Sequence, residues 1–108
     1  MSDDLTERMG VATYDLERIK LLLQNPETRI ITGEANRNAS SLGYLNVDEI
    51  VARVMQVTAT DIHKTMPAQK VQGMMQDVYR SKTERDHLYI KFQLSMDRKA
   101  VLIQFKQR

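Results

Sequence analysis

Apolar residues recur along this chain with two different periods, and the change from one to the other divides it. Leu16, Ile19 and Leu23 fall at i, i+3 and i+7, the spacing of one face of a helix. Thr13 is placed to cap that helix, Asp15 and Glu17 suit its first turn, and Pro26 ends the pattern. Arg29 to Thr32 carries two isoleucines beside Thr32 and Gly33, which predicts a short strand. The Asn- and Ser-rich stretch from Glu34 to Gly43 fits either a weak helix or a loop. Asn46 with Glu49 reads as a capping box, and Ile50, Val51, Val54 and Met55 form the apolar stripe of a second helix. Thr58 or Thr60 then caps a third short helix that carries Lys64, with Ile62 and Met66 on one side and Pro67 at its close.

After Gly73 the period becomes two. Leu88, Ile90, Phe92 and Leu94 share one face of a strand, and Tyr89, Lys91 and Gln93 share the other. Val101, Ile103 and Phe105 alternate in the same way with Leu102, Gln104 and Lys106. A two-residue turn at Asp97-Arg98 sets Leu94 opposite Val101, Phe92 opposite Ile103, Ile90 opposite Phe105 and Tyr89 opposite Lys106. A shift by two keeps these faces and a shift by one breaks them. Met74 to Arg80 reads as a further strand, but periodicity does not decide whether Gln76 and Val78 or Asp77 and Tyr79 turn to the core. Helices first and an antiparallel sheet last predict an α+β fold, with the helices on one sheet face and the other face open.

The chain has 108 residues, 42% hydrophobic and 28% charged, a length and balance that suit one globular domain over 1–108. The absence of cysteine excludes disulfides, thiol nucleophiles and cysteine metal sites, and two isolated histidines make no zinc cluster, so neither a metal nor another cofactor is expected. No apolar run approaches the ~20 residues that span a bilayer, and Met1-Ser2-Asp3-Asp4 is acidic where a signal would be basic. A cytoplasmic protein without membrane contact is expected. Charge is uneven: residues 1–57 hold six basic and nine acidic side chains, net −3, and residues 58–108 hold ten and five, net +5. A basic half suits a polyanion, although a solvated basic face is the commoner reason for such a bias.

Whichever even register holds, the polar sheet face carries Tyr89, Lys91, Gln93, Gln104 and Lys106. Such a face has the groups for cutting RNA without metal, a reaction that needs a proton taken from a ribose 2′-hydroxyl, charge stabilised on phosphorus and a proton given to the leaving oxygen. Free lysine and tyrosine titrate near ~10, so either must be shifted or serve as charge or donor. On the pattern alone a solvated hairpin face is the simpler account, and His63 and His87 are of a type found more often on surfaces than as general bases. The methionines Met55, Met66 and Met74 are explained by core filling, and no phosphate-binding glycine loop or nucleophile elbow is present.

The runs Asp61-Ile62-His63-Lys64-Thr65-Met66, Gln76-Asp77-Val78-Tyr79-Arg80, Leu88-Tyr89-Ile90-Lys91 and Val101-Leu102-Ile103-Gln104-Phe105-Lys106 agree in order and spacing with one known family. Through them the chain resembles the MqsR family of type II toxins, of the RelE-like ribonuclease group. The likeness spans roughly residues 14–108, with the first helix and Asn46-Val47-Asp48-Glu49 as a shorter part, and leaves out residues 1–12, a stretch free to be flexible. It implies a RelE-like α+β fold and metal-independent cleavage of messenger RNA at GC-containing sites such as GCU. It also implies a cognate antitoxin, MqsA-like or equivalent, through which alone DNA would be met. The family's functional positions fall on Lys64, Gln76, Tyr89 and Lys106, with Lys91, Arg80, Gln104 and His63 as RNA-binding neighbours. On this reading Lys64 and Lys106 hold phosphate, Tyr89 moves a proton or stacks on a base, and Gln76 orients phosphate or base. His63 and Met75 stand where relatives often carry an aromatic residue and a tryptophan. Gln76 must share the open face with Tyr89, which turns Asp77 and Tyr79 inward. A non-catalytic RNA-binding module and an antitoxin-binding regulatory protein are the competing readings.

Overall fold

The computed structural model describes residues 6–108, so the acidic Met1-Ser2-Asp3-Asp4 start lies outside the described residues. In chain order the elements are β1 (Arg8–Met9), α1 (Leu16–Leu23), β2 (Arg29–Ile31), α2 (Gly33–Ser41), α3 (Val47–Val54), β3 (Ile62–Pro67), β4 (Met75–Lys82), β5 (His87–Leu94) and β6 (Ala100–Gln107). The strands form one sheet in the order β1-β3-β4-β5-β6-β2, antiparallel except where β2 runs parallel to β6. The fold is α+β, with the helices ahead of most of the strands, as the change of period predicts.

Each helix starts where a side chain can satisfy a free backbone N–H. Asp15, not Thr13, caps α1 by accepting from Glu17 N. The Thr13 hydroxyl is taken up by Thr65 at 2.7 Å, which removes it from capping. Thr32 caps α2 through Ala35 N, which settles the Asn- and Ser-rich stretch as a helix. That helix buries only Ala35 and Ala39, one turn apart, against β6. Asn46 accepts from Glu49 N to open α3, and Glu49 reaches back to Leu45 N, one residue beyond the usual capping-box partner. Leu16, Ile19, Leu23, Ala35, Ala39, Ile50 and Val54 then pack on Tyr79, Leu88, Ile90, Phe92, Ala100, Leu102 and Phe105. The core therefore lies between the helices and one face of the sheet.

Lys64 is not on a helix. Residues 59–61 make one 3-10 turn, and Ile62–Pro67 continue as a strand. The spacing of Ile62 and Met66 that suggests a helix is deceptive, because a bulge lies between Ile62 and Lys64. Ile62 pairs with the inward Tyr79 and Met66 with the outward Gln76, so the two apolar residues end on opposite faces. Pairing with β4 outweighs the weak helical propensity of six residues.

The last hairpin departs from a two-residue Asp97-Arg98 turn. Its loop is Ser95 to Lys99, closed by Ser95 N to Lys99 O at 2.8 Å, with Arg98 in the left-handed region at φ 67. Leu94 pairs with Ala100, Gln93 with Val101 and Phe92 with Leu102, one residue off the expected register. A bulge opposite Lys91 and Phe92 then absorbs Ile103, so Lys91 meets Gln104, Ile90 meets Phe105 and Tyr89 meets Lys106. The one-residue shift thus breaks the pattern only beyond the bulge: Leu102 joins the core instead of Val101 and Ile103.

Candidate active site on the open sheet face

The sheet face turned away from the helices carries Lys64, Arg80, Lys91 and Lys106 from the basic half of the chain. On β4, Asp77 and Tyr79 pair with the core residues Phe92 and Ile90, which leaves Gln76, Val78 and Arg80 on the open side. Turning a carboxylate inward is costly unless it is satisfied. Asp77, 1% exposed, accepts from Thr13 N at 2.8 and 3.0 Å and from Tyr14 N at 2.8 Å. The inward aspartate therefore ties the segment entering α1 to the middle of the sheet and fixes the alternation that presents Gln76.

Lys64, Tyr89 and Lys106 line one cavity of about 280 Å³, together with His63, Met66, Val78, Lys91 and Gln104. The bulge in β3 is what lets consecutive residues, His63 and Lys64, both reach it. Gln76 lines an adjoining cavity of about 540 Å³ that shares Met66, Lys91 and Gln104 with the first and adds Gln93, Ile103 and Glu34. Gln76 Nε2 donates to Gln93 Oε1 at 2.9 Å. Of the expected RNA-binding neighbours, His63, Lys91 and Gln104 line the cavities, whereas Arg80 lines neither and stands in register with Tyr89 on the adjacent strand.

Positive charge dominates. Lys91 and Lys106 make no ion pair among the described residues, and burial, then the charge of Lys106, pulls the Lys91 pKa down. Lys64 Nζ meets Glu7 Oε2 at 2.9 Å, the carboxylate being delivered by the segment leading into β1, which pairs with β3 at Lys64 and Thr65. The His63 ring lies 6.4 Å from the Tyr89 ring, centroid to centroid, and Arg108 stands 5.5 Å over Tyr89. Burial first, then the charges of Arg80 and Lys64, lower the His63 pKa. Among the described residues no three His, Asp or Glu side chains are grouped as ligands for a metal ion.

Sequence reasoning passes over Glu7, Glu34, Ile103 and Arg108. Arg108 is visible in principle, since it continues the alternation of Gln104 and Lys106. Ile103 is hidden by its bulge, and Glu7 and Glu34 arrive from other parts of the chain. On the opposite side a cleft of about 480 Å³ is lined by Tyr44, Arg53 and Arg85 among others, but both arginines are engaged within the protein. Arg53 bonds Asp86 at 2.9 Å and Ser81 at 2.9 and 3.0 Å, and Arg85 stacks over Tyr44 at 3.7 Å.

A family model described as the motility quorum-sensing regulator, toxin of MqsA, matches residues 11–107. The chain belongs to the MqsR toxin family. No curated protein sequence matches it. Membership makes this MqsR-family protein the toxin of a toxin–antitoxin system, with an antitoxin as its partner. The match begins after Glu7, so the carboxylate on Lys64 comes from outside the matched region. No helix among the described residues is long and apolar enough to cross a membrane.

Proposed function

We propose that this MqsR-family toxin is a metal-independent endoribonuclease that cuts messenger RNA in the cytoplasm, at GC-containing sites such as GCU, and is silenced by an MqsA-like antitoxin. The observation that carries the reading is the convergence of Lys64, Tyr89 and Lys106 on one cavity with Gln76 beside it. Three ammonium groups, counting Lys91, and no carboxylate on the wall of the smaller cavity suit a bound phosphate and the charge that grows on it during attack. On this reading Tyr89, beside them, hands a proton to the leaving oxygen, and Gln76, held by Gln93, orients the phosphate or a base.

The test is incubation of purified protein with a defined mRNA in excess EDTA, with the 5′ ends of the products mapped. Discrete cuts near GC-containing sites, lost in Tyr89→Phe and Lys64→Ala proteins that still fold, are expected. Full activity in both variants, or intact RNA with folded wild type, would overturn the assignment.

A further inference from the structure

Lys64, Gln76, Tyr89 and Lys106 supply charge and hydrogen-bond donors, yet the reaction also needs a group that takes the proton of the attacking 2′-hydroxyl. We propose that His63 is the general base of this chain, which rests on the ribonuclease reading above. The bulge between Ile62 and Lys64 carries its imidazole into the cavity, beside Tyr89 and among the lysines.

The competing acceptors are few. A lysine accepts a proton only after losing one, and even Lys91, whose pKa burial lowers, starts from 10.5 where imidazole starts from 6.5. Glu7 and Glu34 are carboxylates at the edges of the site, but Glu7 is held by Lys64 at 2.9 Å, Glu34 belongs to the adjoining cavity, and neither is on the wall that carries His63 and Tyr89. The groups around His63 are Lys64 on its own strand, Arg80 on β4, Tyr89 and Lys91 on β5, Lys106 on β6, Arg108 just beyond it, and Glu7 ahead of β1. Burial, then Arg80, Lys64 and Arg108, oppose protonation of the ring and Glu7 alone favours it, so the imidazole titrates below its ordinary 6.5 and a ring nitrogen keeps its lone pair at neutral pH.

The proposed step balances without a further reactant. The 2′-O–H bond breaks and its proton passes to the imidazole, while the oxygen's electron pair forms the O2′–P bond. The P–O5′ bond breaks, and the departing 5′ oxygen takes the Tyr89 hydroxyl proton. Imidazolium then returns a proton to the tyrosinate through water. The products are a 2′,3′-cyclic phosphate and a 5′-hydroxyl, and the protein is back in its starting state. Lys64, Lys91 and Lys106 face the phosphate charge throughout.

A short RNA with one cleavable site, cut across pH 4.5 to 9, tests this with the full chain and its His63→Gln, His63→Phe and Glu7→Gln variants. Wild type should lose rate on the acid side with a midpoint equal to the His63 imidazole titration followed by NMR. Both His63 variants should lose about 100-fold or more in kcat together with that acid limb. Their affinity for the 2′-deoxy analogue should stay within about threefold of wild type, the change of a binding residue being larger. A His63→Gln protein that keeps the wild-type rate and acid limb, or a limb that vanishes in Glu7→Gln instead, overturns the assignment. A wild type that binds the analogue but never cuts RNA overturns the ribonuclease reading itself, and the general base with it.

Discussion

Asp77 sits in the Gln-Asp-Val-Tyr-Arg run that carries the family likeness, yet its side chain points away from the site and serves the fold. Its carboxylate takes two backbone N–H groups, those of Thr13 and Tyr14, in three contacts of 2.8, 3.0 and 2.8 Å at 1% exposure. Hydrogen bonds to a charged group contribute about 1.5–3 kcal/mol each. Asp77→Leu removes the acceptor of both bonds and is therefore expected to lose about 3–6 kcal/mol, a large part of the ~5–15 kcal/mol typical of a domain. Asp77→Asn keeps one oxygen but turns an amide N–H₂ toward a donor, and about half that loss is expected. Urea unfolding at pH 7, followed by circular dichroism with the slope held common, reads both values. Two variants within about 0.5 kcal/mol of wild type would show that the segment before α1 is not anchored by this carboxylate, and the account of why Gln76 faces outward would fall with it.

Three further outcomes are expected. Burial alone would raise the Asp86 pKa, but hydrogen bonds from Tyr44 and Arg53 together hold it below 3.8, so its contribution is present above that value and lost as pH falls through the lower folded one. Urea midpoints should therefore drop at the acid end in wild type and drop less in Asp86→Asn, and parallel curves would refute this. Lys64→Met, Lys91→Met and Lys106→Met should each flatten the log–log salt dependence of binding to a 2′-deoxy oligonucleotide by about 0.7, and an unchanged slope removes that lysine from phosphate contact. Glu7→Gln should free Lys64 and tighten that binding while changing stability by less than about 1 kcal/mol, since the pair is partly exposed; weaker binding would contradict a competing carboxylate.

The amino-acid sequence by itself determined the α+β class, helices α1 and α3 and the alternation of β5. Those elements bury a regular apolar stripe, and a stripe is a local property. The expected pairing of Tyr89 with Lys106 holds only because the odd residue in the Ser95–Lys99 loop is cancelled by the bulge at Ile103 before that pair is reached. Only the tertiary structure decided the rest. Gly33–Ser41 is helical because two alanines one turn apart fit closely on β6, and a stripe of two small residues is too weak a periodic signal to separate helix from loop. Ile62–Pro67 is a strand because β4 lies beside it, and pairing of residues far apart in sequence is not written in six residues of propensity. Asp77 faces inward because Thr13 and Tyr14 offer it two N–H groups from a distant part of the chain. The two bulges shape the site: they place His63 beside Lys64 and Ile103 beside Gln104, and an extra residue in a ladder is settled by the partner strand, not by the residue itself.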